Sequence, residues 1–172
     1  MNRRTLIALL ALAPLAACVV NLSFDIDKQF ELSGPAGTVS QTQTVDLSQY
    51  QAIQDHKGNI KSLSFDSAAL TVSSVNSGTT ATTFSGTLVL RSSTAPADGS
   101  QDVPVGTLTN FPITQGSSVK LPGTARLDAF LLSEVQGAGT FSAILSGTVN
   151  GTTNIVVDVD IAAGLGYDSG LF

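Results

Sequence analysis

The chain has 172 residues, with 8 Lys and Arg, 13 Asp and Glu and one His, which gives a formal net charge of −5. An acidic chain whose few basic residues are scattered lacks the electrostatic footprint of a nucleic-acid-binding protein. Hydrophobic residues make up 42% of the sequence and charged residues 12%, a composition that excludes a disordered chain and favours one folded domain.

The N-terminus has the organisation of a secretory signal peptide. Arg3 and Arg4 precede an apolar stretch rich in Leu and Ala, and Pro14 interrupts that stretch. The stretch is shorter than the roughly 20 residues that a membrane-spanning helix needs. We therefore predict a cleaved signal peptide over residues 1–17 and a single mature domain over residues 18–172.

The signal peptide ends in the sequence Leu15-Ala16-Ala17-Cys18. This sequence resembles the lipobox of bacterial lipoproteins, in which a Leu and two small residues precede an invariant Cys. The resemblance implies that a diacylglycerol is attached to the Cys18 thiol and that the chain is cleaved before Cys18. Two or three acyl chains anchor a protein durably to a membrane. Because Cys18 is the only cysteine, the sequence offers no disulfide framework.

The residue after the cysteine indicates whether such a lipoprotein would reside in the inner or the outer membrane. In the sorting rule of Gram-negative lipoproteins, Asp at this position favours retention in the inner membrane. Val19 stands there instead, so the resemblance implies anchoring in the outer membrane. Removal of residues 1–17 would also take away Arg3 and Arg4 and move the formal net charge from −5 to −7.

Alternation of apolar and polar residues predicts strands along most of the mature chain, beginning at about Val20 with essentially no linker after Cys18. Turn and loop residues occupy 34–37, 76–83 and 94–102. The predicted strands are 20–26, 39–47, 60–65, 70–75 and 84–91, followed by short pieces broken by Pro over 103–121.

Two helices interrupt the strand pattern. Ser48 is the predicted N-cap of a short helix that ends near His56. The second helix begins at Thr124 and ends at Gly137, with Leu127, Phe130 and Leu131 on one face.

The C-terminal region contains the clearest sequence pattern for a pair of strands joined by a turn. Residues 141–149 and 155–161 alternate on either side of Asn150-Gly151, which predicts a hairpin with a type I′ turn. Residues 162–172 are predicted to form a Gly-rich tail. Many short strands with two minor helices predict an all-β, antiparallel β-sandwich, immunoglobulin-like or similar, with a small β-barrel as the alternative.

Candidate functional residues are few. His56 is the only His and therefore the only candidate general base of a hydrolase, whereas a helix-end role is the simpler interpretation. Asp25 and Asp27 share one face of the first strand, and Asp158 and Asp160 share one face of the last strand. If these strands are neighbours, the four carboxylates could bind calcium, which is the only cofactor that the sequence suggests. The alternative is a solvated acidic face that protects a sheet edge.

The sequence contains no catalytic constellation, so we predict a non-enzymatic lipoprotein of the outer membrane. Its expected role is binding, assembly or structural support in the cell envelope, in contact with the membrane and an envelope protein. The alternative is a periplasmic carrier of lipid or another hydrophobic ligand, enclosed beneath an apolar helix such as Leu127 to Val135. A hydrolase using His56 is the third hypothesis.

Overall fold

The computed structural model describes residues 19–169, which contain eight strands, one 3-10 turn and two helices. The 3-10 turn is Leu47–Gln49, and the helices are α1 (Gln51–His56) and α2 (Ala125–Gln136). The strands are β1 (Val19–Gly34), β2 (Gly37–Asp46), β3 (Ile60–Val75), β4 (Thr83–Ser92), β5 (Val103–Pro112), β6 (Ser118–Pro122), β7 (Thr140–Val149) and β8 (Thr153–Asp168).

The strands form two four-stranded sheets. The first sheet has the order β1-β8-β3-β6 and the second the order β2-β7-β4-β5, and every pair is antiparallel. The first strand thus pairs with the last, the second with the seventh, the third with the sixth and the fourth with the fifth. This is a jelly roll, a hairpin of four strand pairs wrapped into two sheets. The β-sandwich prediction is confirmed, and the strand order is not that of an immunoglobulin domain.

The core lies between the two sheets and is built by alternation along each strand. On β8, residues 153, 155, 157, 159, 161, 163 and 165 are buried, and the residues between them face outward or toward a neighbour. Burial of one face of each sheet removes both apolar faces from water, which is the main driving force for folding. The largest fully buried side chains are Phe30, Phe65, Phe141, Ile26, Leu32, Leu47, Leu70, Leu88, Leu90, Leu127, Leu131 and Leu145.

The two ends of the sandwich differ in their connections. One end, which we name the helical end, carries Val19 together with residues 47–59, 93–102 and 123–139. The opposite end, the turn end, carries the four short connections between the sheets: 35–36, 76–82, 113–117 and 150–152. The turn-end connections contain no charged residue, whereas those of the helical end contain Asp55, His56, Lys57, Asp98, Asp102, Arg126, Asp128 and Glu134.

The predicted hairpin at Asn150-Gly151 is wrong. β7 lies in the second sheet and β8 in the first, so the connection crosses between sheets. Neither Asn150 nor Gly151 has a positive φ, which a type I′ turn requires. Asn150 Oδ1 instead accepts a hydrogen bond from the Thr82 backbone N–H at 2.8 Å. A side chain at Gly151 would approach the Ala81 nitrogen to 2.8 Å, so this Gly permits close packing of two connections.

Two other predicted boundaries are also wrong. The Gly-rich segment 162–172 is predicted as a tail, but its first residues belong to β8, which continues through Gly164 and Gly166 to Asp168. Residues 60–75 form one strand, β3, whose three register shifts against β8 interrupt the alternation. Such bulges add a residue to one strand, and this disturbs the period of two in the sequence.

Both predicted helical regions are present. In the first, Asp46 rather than Ser48 is the capping residue: Asp46 Oδ1 accepts the Ser48 backbone N–H at 2.9 Å at the start of the 3-10 turn. The N-cap position of α1 itself is Tyr50, which makes no side-chain cap hydrogen bond. In the second, the Thr124 side chain accepts the Leu127 N–H, as predicted. Asp128 of α2 accepts the Phe65 backbone N–H at 2.7 Å and so ties the helix to β3.

Gly86 and Gly147 face each other on the central strands β4 and β7. A methyl group at position 147 would lie 2.6 Å from Gly86 Cα and 2.7 Å from Cζ of the buried Phe84 ring. The two glycines therefore provide the space into which Phe84 packs.

We expect Gly147→Ala to lower the free energy of unfolding by about 1–3 kcal/mol, because the added methyl overpacks the core. Gly58→Ala is the matched control: a methyl there meets no atom within 4 Å, so we expect a change within about 0.5 kcal/mol. Urea unfolding of both variants measures the difference. Equal stabilities would contradict the packing role of the Gly86–Gly147 pair.

Candidate functional site

The predicted lipidation site, Cys18, lies outside the described residues. The residue that follows it, Val19, is the first residue of β1, which forms an edge of the first sheet. Val19 is 51% exposed and lies opposite Asp168 of β8 at the helical end. Within residues 19–169, no helix has the length and apolar character to cross a membrane.

The acidic residues that we predicted as a possible calcium site lie on neighbouring strands. β1 pairs with β8 along its whole length, which places Asp27 directly opposite Asp160 and Gln29 opposite Asp158. Gln29 Nε2 donates a hydrogen bond to Asp158 Oδ1 at 3.0 Å. Asp25 lies one row further along, opposite Ala162. The structure therefore places Asp27 and Asp160 face to face, whereas Asp25 and Asp158 each lie opposite a neutral residue.

The facing carboxylates repel each other. Partial burial and the negative charges of Asp27 and Asp25 raise the pKa of Asp160 above its ordinary value, while Lys120 opposes this. In the part of the chain that the structure describes, no group of three or more Asp, Glu, His or Cys side chains is placed to hold a metal ion. Calcium at this row stays a hypothesis, and what the structure shows is Asp27 and Asp160 opposite each other across the β1–β8 pair.

We expect Asp160→Asn to stabilise the protein at pH 7 by less than about 1 kcal/mol, since it removes this repulsion. The raised pKa means that folded Asp160 binds a proton more readily than unfolded Asp160. Its unfavourable contribution therefore exists at neutral pH and disappears as the pH falls below 3.8, where both states are protonated. Thermal unfolding of the parent chain and of Asp160→Asn from pH 3 to pH 7 measures how this stabilisation changes with pH.

Asp158→Asn is the control for this prediction, because Asp158 already has a hydrogen-bond donor in Gln29 and should gain nothing. The same melts with and without 1–5 mM calcium, on the order of extracellular calcium-site affinities, test the metal hypothesis. A calcium-dependent rise in Tm that Asp160→Asn abolishes would establish the site and contradict simple repulsion.

His56 is at the end of α1 and is half-buried. Its ring stacks on Tyr167 of β8, with the ring centroids 3.6 Å apart and the planes inclined by 15°. A hydrolase would need a nucleophile and an orienting acid beside this ring. Among residues 19–169, the only hydrogen bond of His56 to a residue outside its own helix is from Asn59 N–H to the His56 carbonyl. The observed contacts give His56 a packing role.

An internal cavity bears on the carrier hypothesis. Between the sheets, Leu32, Val72, Phe84 and other apolar side chains surround a space of about 10 Å³. That volume is close to what one water molecule needs, whereas ligand cavities are on the order of 300–1,000 Å³. This wholly apolar space is too small for an acyl chain.

Glu134, which no sequence motif marks as a site residue, occupies an unusual position in α2. The side chain is 5% exposed, and its Oε2 atom is buried without a hydrogen-bond partner. It borders a cleft of about 440 Å³ between α2 and the β4–β5 connection. The spacing of Leu127, Leu131 and Glu134 at i, i+4 and i+7 already places Glu134 on the apolar face of the helix.

No protein-family model matches the chain, and no curated protein matches it. Solved structures with a related arrangement include the decameric BFDV capsid protein, at 14% identity and TM-score 0.43, covering 86% of this chain and 99% of that one. Turnip yellow mosaic virus is similar at 10% identity and TM-score 0.35, with coverages of 97% and 91%. Because these TM-scores lie below 0.5, the strand order and not this likeness identifies the fold.

Proposed function

We propose that the protein is a non-enzymatic lipoprotein of the outer membrane, which acts as a binding, assembly or structural module of the cell envelope. The observation that carries the proposal is the start of β1 at Val19, directly after the lipobox cysteine. A lipid on Cys18 would hold the helical end of the sandwich against the membrane. With no linker, the domain has little freedom to leave or turn over.

The arrangement of charge supports this orientation. The charged connections are at the helical end, where they would face the polar head groups and water of the membrane surface. The turn end would point away from the membrane by roughly the length of β8, whose 16 residues span about 50 Å. Its connections are rich in Thr, Ser, Asn and Gly and carry no charge. Loops at one end of a rigid sandwich are a common place for binding residues, so the turn end is the proposed contact surface.

Lipidation is tested by metabolic labelling with an alkyne analogue of palmitate in a Gram-negative host. We expect the parent chain to incorporate label and Cys18→Ala to incorporate none. Val19→Asp tests the sorting rule: it changes an exposed residue, so the fold should persist while the protein moves to the inner-membrane fraction. An unlabelled parent chain would contradict lipid anchoring, and an unchanged distribution of Val19→Asp would contradict sorting by that residue.

The orientation is tested separately with single introduced cysteines. A lipidated Cys18 has no free thiol, so Lys57→Cys and Gln115→Cys each supply the only reactive thiol; both positions are exposed, at the helical and turn ends respectively. After labelling with a fluorophore in vesicles, lipid-borne quenchers should quench position 57 and leave position 115 almost unaffected. Label uptake by the parent chain would contradict lipidation, and equal quenching would contradict the orientation.

A further inference from the structure

A buried carboxylate without a partner requires an explanation in any folded protein. Glu134 is near the end of α2, where the helix dipole is also unfavourable to negative charge. Its backbone carbonyl accepts hydrogen bonds from Gly137 and Gly139, but this helix-ending role does not involve the side chain. The only ion pair among residues 19–169 is Arg91–Asp102, so Glu134 has no cationic partner there.

The cleft beside Glu134 offers a second charged group. Arg126 is also on α2, eight residues earlier, which corresponds to about 12 Å along the helix axis. Arg126 is exposed, lines the cleft and donates from Nη2 to the Asp102 carbonyl at 3.3 Å. Ser92, Thr94, Gln101 and Ser133 contribute further polar groups to the lining. The cleft thus has an acceptor without a donor at one position and a guanidinium at another.

The opposite wall of the cleft is held in place. The β4–β5 connection begins after Ser92 and ends at Asp102, whose carboxylate accepts two hydrogen bonds from Arg91, at 2.6 and 2.8 Å. Bidentate pairs of this kind are among the more rigid side-chain contacts. The Arg91–Asp102 pair therefore fixes the end of the connection that borders the cleft.

We propose that this cleft binds a small zwitterion with a primary ammonium group, which donates to Glu134, and an anionic group, which pairs with Arg126. A primary ammonium supplies the donors that Oε2 lacks and compensates its buried charge. A divalent cation is the poorer match, because no group of three metal-ligating side chains lies within residues 19–169. Phosphoethanolamine has this chemistry, both as a free compound and as the head group of phosphatidylethanolamine.

The location of the cleft connects it to the membrane. α2 and the β4–β5 connection both belong to the helical end, the end that carries Val19. The lipid source of the ligand rests on the proposed function, because only an anchored helical end would meet head groups. The binding chemistry itself does not depend on anchoring.

The first experiment measures thermal stability of the full chain in a non-ionic detergent. We expect O-phosphoethanolamine to raise Tm in a saturable manner, and phosphocholine and ethyl phosphate to have no such effect, because the first lacks N–H donors and the second lacks a cation. No saturable rise, or an equal rise with phosphocholine, would overturn the proposal.

Glu134→Gln supplies the matched variant. It should abolish the response to O-phosphoethanolamine, because the neutral amide offers the ammonium group no opposite charge. Gln136→Ala, an exposed change on the same helix that does not border the cleft, should keep the full response. A response retained in Glu134→Gln would overturn the assignment of the ammonium to this carboxylate.

The two sources of the ligand are then separated by hydrogen exchange of α2 in the lipidated chain. Extra protection in phosphatidylcholine vesicles that contain phosphatidylethanolamine, relative to vesicles without it, identifies the head group as the ligand. Protection only on addition of free O-phosphoethanolamine identifies a soluble zwitterion. Failure of lipidation leaves the detergent result unchanged, so the two proposals fail independently.

Discussion

The pairing of β8 with both β1 and β3 is the contact on which the rest of the structure depends. β8 is an inner strand of the first sheet, and its inward side chains from Ile155 to Leu165 are buried against the second sheet. Once the last strand lies beside the first, the remaining strands pair inward in order, and the four short connections between the sheets lie together at one end. Both ends of the described chain, Val19 and Ser169, consequently lie at the helical end.

The same pairing explains which strand predictions succeeded. Alternation shows which face of a strand is buried, and the β-sandwich follows from burying many such faces. Alternation does not show which strands are neighbours, because a strand with one buried face looks the same in a hairpin and in a crossing between sheets. For that reason the strands on either side of Asn150-Gly151 were predicted correctly and their pairing was not. The partner of each strand depends on contacts between residues that are distant in the sequence.

The candidate sites differ in how far the sequence could predict them. The alternation around Asp25–Asp27 and Asp158–Asp160 predicted outward carboxylates, and only the β1–β8 register shows that Asp27 faces Asp160. Glu134 was predictable as an inward residue of α2 from its spacing to Leu127 and Leu131. That its carboxylate lacks a donor was not predictable, because the cleft is made by residues 92–103, which precede the helix by more than twenty residues. The prediction for Cys18 differs from these, because it rests on a short contiguous motif and requires no knowledge of tertiary contacts.

The fold and the proposed anchor together would limit which surfaces and ligands the protein can contact. The four short connections between the sheets are at the turn end, and the longer connections over 47–59, 93–102 and 123–139 are at the helical end, so the two groups of connections lie at opposite ends of the sandwich. The proposed anchor on Cys18, next to Val19, would separate two environments: charged connections and the Glu134 cleft beside the membrane, and uncharged polar turns on the far side. A flexible linker would let the domain rotate, so that either end could approach the membrane. Since β1 starts at Val19, immediately after Cys18, the strand itself would transmit the direction of the proposed anchor to the whole domain.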